Sequence, residues 1–139
     1  MSRQDAMRLL LRGVADDLLA YPELLGLLER QFQGAVRHQS AQLEQLAVTI
    51  LALVEAMEAR RQQRVSLVQQ LLGPAGTMMQ AFALLKSAAR ERMEADWSTL
   101  EKLVLECKRL GKRNSDLLVE QYTIMQRVLH GEEQLYEPA

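Results

Sequence analysis

Aromatic residues are scarce in this chain, at 4% of 139 residues, and there are only seven glycines and three prolines. A β-sandwich wants Val, Ile, Thr and aromatics, so the shortage of aromatics suits long packed helices better. Cysteine occurs once, as Cys107. An internal disulfide is therefore excluded, which fits a reducing compartment. A dominant charge is missing as well, since the formal net charge is −1. That near-neutrality gives no global electrostatic case for nucleic acid or an anionic membrane. No run approaches the roughly eighteen consecutive apolar residues of a membrane span. The first apolar run is short and bracketed by Arg8 and Arg12, unlike a secretory signal. A cytoplasmic protein without membrane insertion is expected.

What the chain does have is apolar residues, 48% of the total, mostly leucine, valine, alanine and methionine. They fall into heptad seams. Met7, Leu11, Val14, Leu18, Tyr21, Leu25, Leu28, Phe32 and Ala35 alternate at steps of three and four, which predicts a helix over about 3–38. Pro22 lies inside that phase and predicts a kink. Ser40 is a candidate cap for a second helix over about 41–72. Its seam runs from Leu43 to Leu71 through Arg60 and Arg64, and Gly73-Pro-Ala-Gly76 ends it. Thr77-Met-Met-Gln80 has the form of a capping box and opens a third, shorter helix through Met93. A second such box, Ser98-Thr-Leu-Glu101, suggests a break and a fresh start.

The last third carries the longest pattern. Leu100, Leu103, Cys107, Leu110, Asn114, Leu117, Gln121, Ile124 and Val128 share one seam, widened by Val104, Leu118 and Met125. The helix is expected over about 98–130, with Gly131 as its stop and residues 131–139 as a short flexible tail. The fold expectation is all-α: one domain over 1–139, an elongated antiparallel bundle of three long helices plus a shorter one, packed like a coiled coil.

Polar residues interrupt two seams, Asn114 and Gln121 in the last helix and Arg60 and Arg64 in the second. Either they fix register, because a buried amide or charge needs its partner in place, or they lie on a surface kept for a partner helix. Lys108, Arg109, Lys112 and Arg113 fall on the outer face with no interleaved aromatics, which reads as a solvated face rather than a nucleic-acid site. Cys107 reads as a core residue, since no base adjoins it. No His/Cys/Asp/Glu spacing matches a metal site, no phosphate loop is present, and no cofactor is expected.

Trp97-x-x-Leu100, Cys107-x-x-Leu110, Asn114-Ser115-x-Leu117-Leu118 and the terminal Leu135-Tyr136 together resemble the C-terminal signature of the FlgN family. Leu24-Leu25-x-Leu27-Leu28-Glu29 and the Arg60/Arg64 region also sit where that family has an apolar-acidic run and an arginine. Two positions depart from the pattern: Gly111 stands where the family has an Asn, and Ser115 where it has the Gly after Asn114. The resemblance implies a flagellar type III export chaperone and no enzyme. Such proteins bind the C-terminal amphipathic segments of hook–filament junction (hook-associated) proteins and deliver them to the export gate. Carried over by position, the substrate surface would hold Asn114, Leu117, Leu118, Tyr122, Met125 and Leu129, and Tyr136 would dock at the gate protein. A homodimer would mask the same stripe.

Two other readings stand beside this one. A structural bundle component of a secretion complex would form a stable oligomer with no open groove. A small helical enzyme would use Arg60 and Arg64 to hold an anionic substrate.

Overall fold

Ser2 begins the first helix with a reciprocal cap. Its hydroxyl accepts from the Asp5 N–H at 3.1 Å, and the Asp5 carboxylate accepts from the Ser2 N–H at 3.2 Å. Helix α1 follows over Arg3–Val36. The computed structural model describes residues 1–136, with side chains through Leu135. Pro22 lies inside α1 on an exposed position, and α1 runs through it as one element. The helix ends on His38, whose φ of 54° is left-handed. The His38 and Gln39 N–H groups then reach back to the carbonyls of Ala35 and Gly34, at 3.2 and 2.9 Å. Glycine usually takes that place, because other side chains are strained there.

Helix α2 spans Ser40–Leu72. Ser40 is its first helical residue. Gln39 is the N-cap, and no side chain bonds the free amides, so the expected Ser40 cap does not form. The α1–α2 hairpin closes tightly: a Cβ on Gly34 would meet Leu43 at 3.2 Å. Gly73, at φ 85°, ends α2 as expected.

The Thr77/Gln80 capping box forms as expected. Its helix α3, however, covers only Met78–Phe82, whereas the pattern predicted a helix through Met93. The chain turns at 83–86 because Phe82 is needed in the core. It is fully buried and meets Trp97 edge-on at 6.3 Å between ring centres, with Val14 and Met93 around it. Helix α4 then runs unbroken over Ser87–Tyr136, 50 residues. Two expected boundaries are thus corrected. The Ser98 box does not interrupt α4, since Met93, Trp97 and Leu100 face inward on both sides of it and hold the helix to one line. Gly131 does not stop it either. A lone glycine costs about 1 kcal/mol, and the helix-forming Glu132, Glu133 and Leu135 carry the pattern on. Of the expected tail, 131–136 is helix, and 137–139 lies outside the described residues.

The architecture is an all-α bundle of three long helices and one short one. Helix α1 is the central member. Helix α2 runs antiparallel to it, as Asp17 against Arg60 and Arg64 and Gly34 against Leu43 show. Helix α4 runs parallel to α1 in a fixed register. The Tyr21, Leu28 and Ala35 carbonyls accept from Cys107 Sγ, Asn114 Nδ2 and Gln121 Nε2 at 3.9, 2.7 and 3.0 Å, every pair 86 residues apart. The contacts therefore recur each heptad. Helices α2 and α4 share little beyond the end marked by Trp97, Met57 and Cys107.

Candidate functional site

The seam polar residues turn out to be structural. Asp17 is buried on α1 and takes both seam arginines. Its carboxylate accepts from Arg60 Nε at 2.6 Å and from Arg64 Nη2. Two guanidiniums against one carboxylate fix the α1–α2 register, because removing any member strands a buried charge. The Arg64 guanidinium also stacks 5.5 Å from the Trp97 ring centre. This internal anion fills the place that the enzyme reading gave to a substrate. The need for a buried acid opposite Arg60 and Arg64 was legible in the seam, yet its position on α1 was not.

Asn114 is 2% exposed, and all its polar atoms are bonded. Its Nδ2 donates to the Leu28 carbonyl and to Gln31 at 2.9 Å, and its Oδ1 accepts from Arg113 Nε at 3.1 Å. These bonds pin α4 to α1 at Asn114, which is buried rather than exposed at the start of the expected partner surface. Arg113 also departs from its expected outer face. It reaches α1, bonding Glu29 at 3.1 Å and lying 3.8 Å over the Phe32 ring. That bond holds the Glu29 carboxyl below its ordinary range. Burial, with the nearby Glu106 charge, pushes the Cys107 thiol up to about 11. A thiol so held stays protonated and unreactive at neutral pH. Among the described residues no group of three or more His, Cys, Asp or Glu side chains is placed to hold a metal.

The remaining candidates divide by face. Leu117 is half-buried on the α1-facing side, one step beyond Asn114. Leu118, Tyr122, Met125 and Leu129 continue a second stripe, begun by Gly111 and Ser115, at steps of four and three along α4. Leu118 lines a depression with Leu28, Gln31, Gly111 and Tyr122. Gly111 presents no side chain there, which leaves that depression open. Tyr122 is 60% exposed, and Met125 and Leu129 are exposed with it. The Gln121 amide makes the last tie to α1. Beyond it α4 extends alone from Tyr122 to Tyr136, about 22 Å. On this stretch Ile124, Val128 and Leu135 prolong the α1-facing seam with nothing over them, so they too are exposed. Sequence reasoning placed Ile124 and Val128 on a packed seam, because periodicity does not tell where the neighbouring helix stops. Tyr136 ends α4, and its side chain lies outside the described residues.

This arrangement is a bundle with one arm, apolar on two adjacent stripes. A family model described as FlgN protein matches residues 7–131. The chain belongs to the FlgN family. That family is the flagellar export chaperones, which are not known as enzymes. No curated protein and no solved structure matches the chain. The match spans the central helix, the buried Asp17–Arg60–Arg64 group and most of the FlgN arm, so it covers the scaffold and the exposed stripe together.

Helix α2 contributes a further exposed surface that sequence reasoning did not single out. Leu51, Val54 and Val65 are exposed along it. By length and composition alone α2 is apolar enough to cross a membrane, although no continuous apolar run was read there. Its inner face is committed to α1 through Arg60, Arg64, Leu67 and Leu71.

Proposed function

We propose that this chain is a cytoplasmic chaperone for the C-terminal amphipathic segments of hook–filament junction proteins. It keeps those segments from assembling early and delivers them to the flagellar export gate. The observation that carries this reading is the exposed stripe of Tyr122, Met125 and Leu129 on the free arm of α4, continuous with half-buried Leu118. An apolar stripe at helical spacing, left uncovered by its own chain, suits helix-in-groove recognition. Methionine at its centre adapts to more than one partner sequence. Tyr136, at the far end of the arm, is the docking residue for the gate protein in this reading. Neither nucleic acid nor insertion into a membrane is part of it.

The test is retention by the purified protein of hook–filament junction proteins from the source cell. Those proteins should bind, and deleting their C-terminal segments should abolish binding. A Tyr136→Ala protein should bind the segments normally and fail in secretion or gate binding; normal secretion would remove Tyr136 from the mechanism. If the protein retains only itself, the stripe serves a homodimer and the structural-component reading takes over.

A further inference from the structure

The stripe on α4 does not end at Leu118. Below it, depressions succeed one another towards the start of the helix and share residues. One lies against Tyr21, Met57, Val104 and Lys108, and Val104 also belongs to the next, with Trp97 and Leu100. Trp97 in turn belongs to a cavity of about 280 Å³ between α2 and α4. These three adjoin one another as a furrow beside α4, with α2 lining it through Val54, Arg61 and Val65 and α1 beneath it at Tyr21 and Leu24. The separate depression at Leu118 lies farther along the same stripe of α4, which is about 37 Å long from Trp97 to Tyr122 and matches some 25 residues of helix.

Its last cavity differs from the rest. Arg61, Arg64 and Gln69 line it together with Val65, Val68 and Trp97, and no carboxylate does. Arg64 uses Nη2 on Asp17, while its buried Nε has no hydrogen-bond partner. Arg61 is held by Glu58 through Nε and Nη2 only. Taking Arg60, Arg61 and Arg64 against Asp17 and Glu58 leaves one positive charge in excess. Pro74 and Gly76 of the α2–α3 turn also line it, and a Cβ on Gly76 would fall 2.6 Å from the Leu72 Cβ, so that turn is tightly folded. The turn follows the end of α2, so the furrow's α2 side ends there.

We infer that this cavity receives the C-terminal carboxylate and last apolar side chain of the bound segment, which lies along the furrow antiparallel to α4 as the bundle's fourth long helix. The inference rests on the chaperone reading above. The carboxylate and the negative end of the segment's helix dipole both meet the arginine end of the furrow, while the segment's apolar stripe runs back to Leu118 and Tyr122. Helix α2 is therefore part of the binding site.

The experiment uses a synthetic peptide of a hook–filament junction protein's C-terminal segment, made once with a free carboxylate and once as the C-terminal amide. Affinities are read by fluorescence anisotropy on the whole protein. The amide should bind about tenfold more weakly than the acid. Arg61→Gln should remove most of that difference, and Val65→Glu should weaken the acid more than the amide. Arg61 and Val65 are exposed, so both variants should fold, which circular dichroism checks. Equal binding of acid and amide to the unaltered protein would overturn this inference and leave the chaperone reading standing. Failure of both peptides to bind would overturn the chaperone reading and this inference with it.

Discussion

Asn114 and Leu118 lie one helical turn apart on α4, and they belong to different problems. Asn114 faces α1, is buried, and has every polar atom bonded. Leu118 is turned aside into an open depression and leads to exposed Tyr122, Met125 and Leu129. The same contrast recurs along the seam itself. Cys107, Asn114 and Gln121 meet α1 once per heptad, whereas Ile124, Val128 and Leu135 keep the spacing after α1 has ended. A heptad pattern therefore specifies a face that must be covered and leaves open which molecule covers it.

That contrast can be broken or sharpened by substitution. The largest effect belongs to the covered side. Asp17→Ala strands Arg60 and Arg64 and should cost about 3–5 kcal/mol of folding stability, measured by chemical denaturation. A loss near zero would mean that the arginines reach water and do not fix the register. Next is the open side. Leu118→Asp should lower affinity for the substrate segment about a hundredfold while helix content and unfolding midpoint stay nearly unchanged. Unfolding of that variant would place Leu118 in the core and misassign the surface. Asn114→Ala should do the converse, losing about 1–3 kcal/mol of stability with segment affinity intact. The smallest effect is a pH dependence at Cys107. Its folded pKa is raised from 9.0 to about 11, so the folded state binds the proton more tightly. The resulting stabilisation is complete below pH 9 and is lost as pH rises towards 11. Unfolding curves of the unaltered protein and Cys107→Ala should converge over that window, and parallel curves would dismiss the effect.

Much of the scaffold was legible in the sequence. The seams locate α1 and α2 to within a few residues, and the Thr77/Gln80 box starts α3 where it stands. What escaped was set by tertiary contacts. His38 ends α1 in a backbone conformation that its residue type does not advertise. Helix α3 stops at Phe82 because that ring plugs the core beside Trp97, which no local signal encodes. Arg113 looks like one of a surface quartet by spacing, yet Phe32 and Glu29 of α1 draw it inward. In the candidate site, Leu118, Tyr122, Met125 and Leu129 share one face as their spacing requires. Asn114 and Leu117 do not join them, because a broad stripe on α4 is two stripes with different neighbours.

In the proposed function the open stripe of α4 is a partner surface and the α1-facing seam is scaffold. Hydrogen exchange along α4, with and without the substrate segment, tests it most directly. Amides around Cys107 and Asn114 should be slow to exchange in both states. Those from Leu118 to Leu129 should exchange quickly in the free protein and become protected when the segment binds. Saturating binding with no gain in protection there would contradict the claim, and would move the partner surface away from α4.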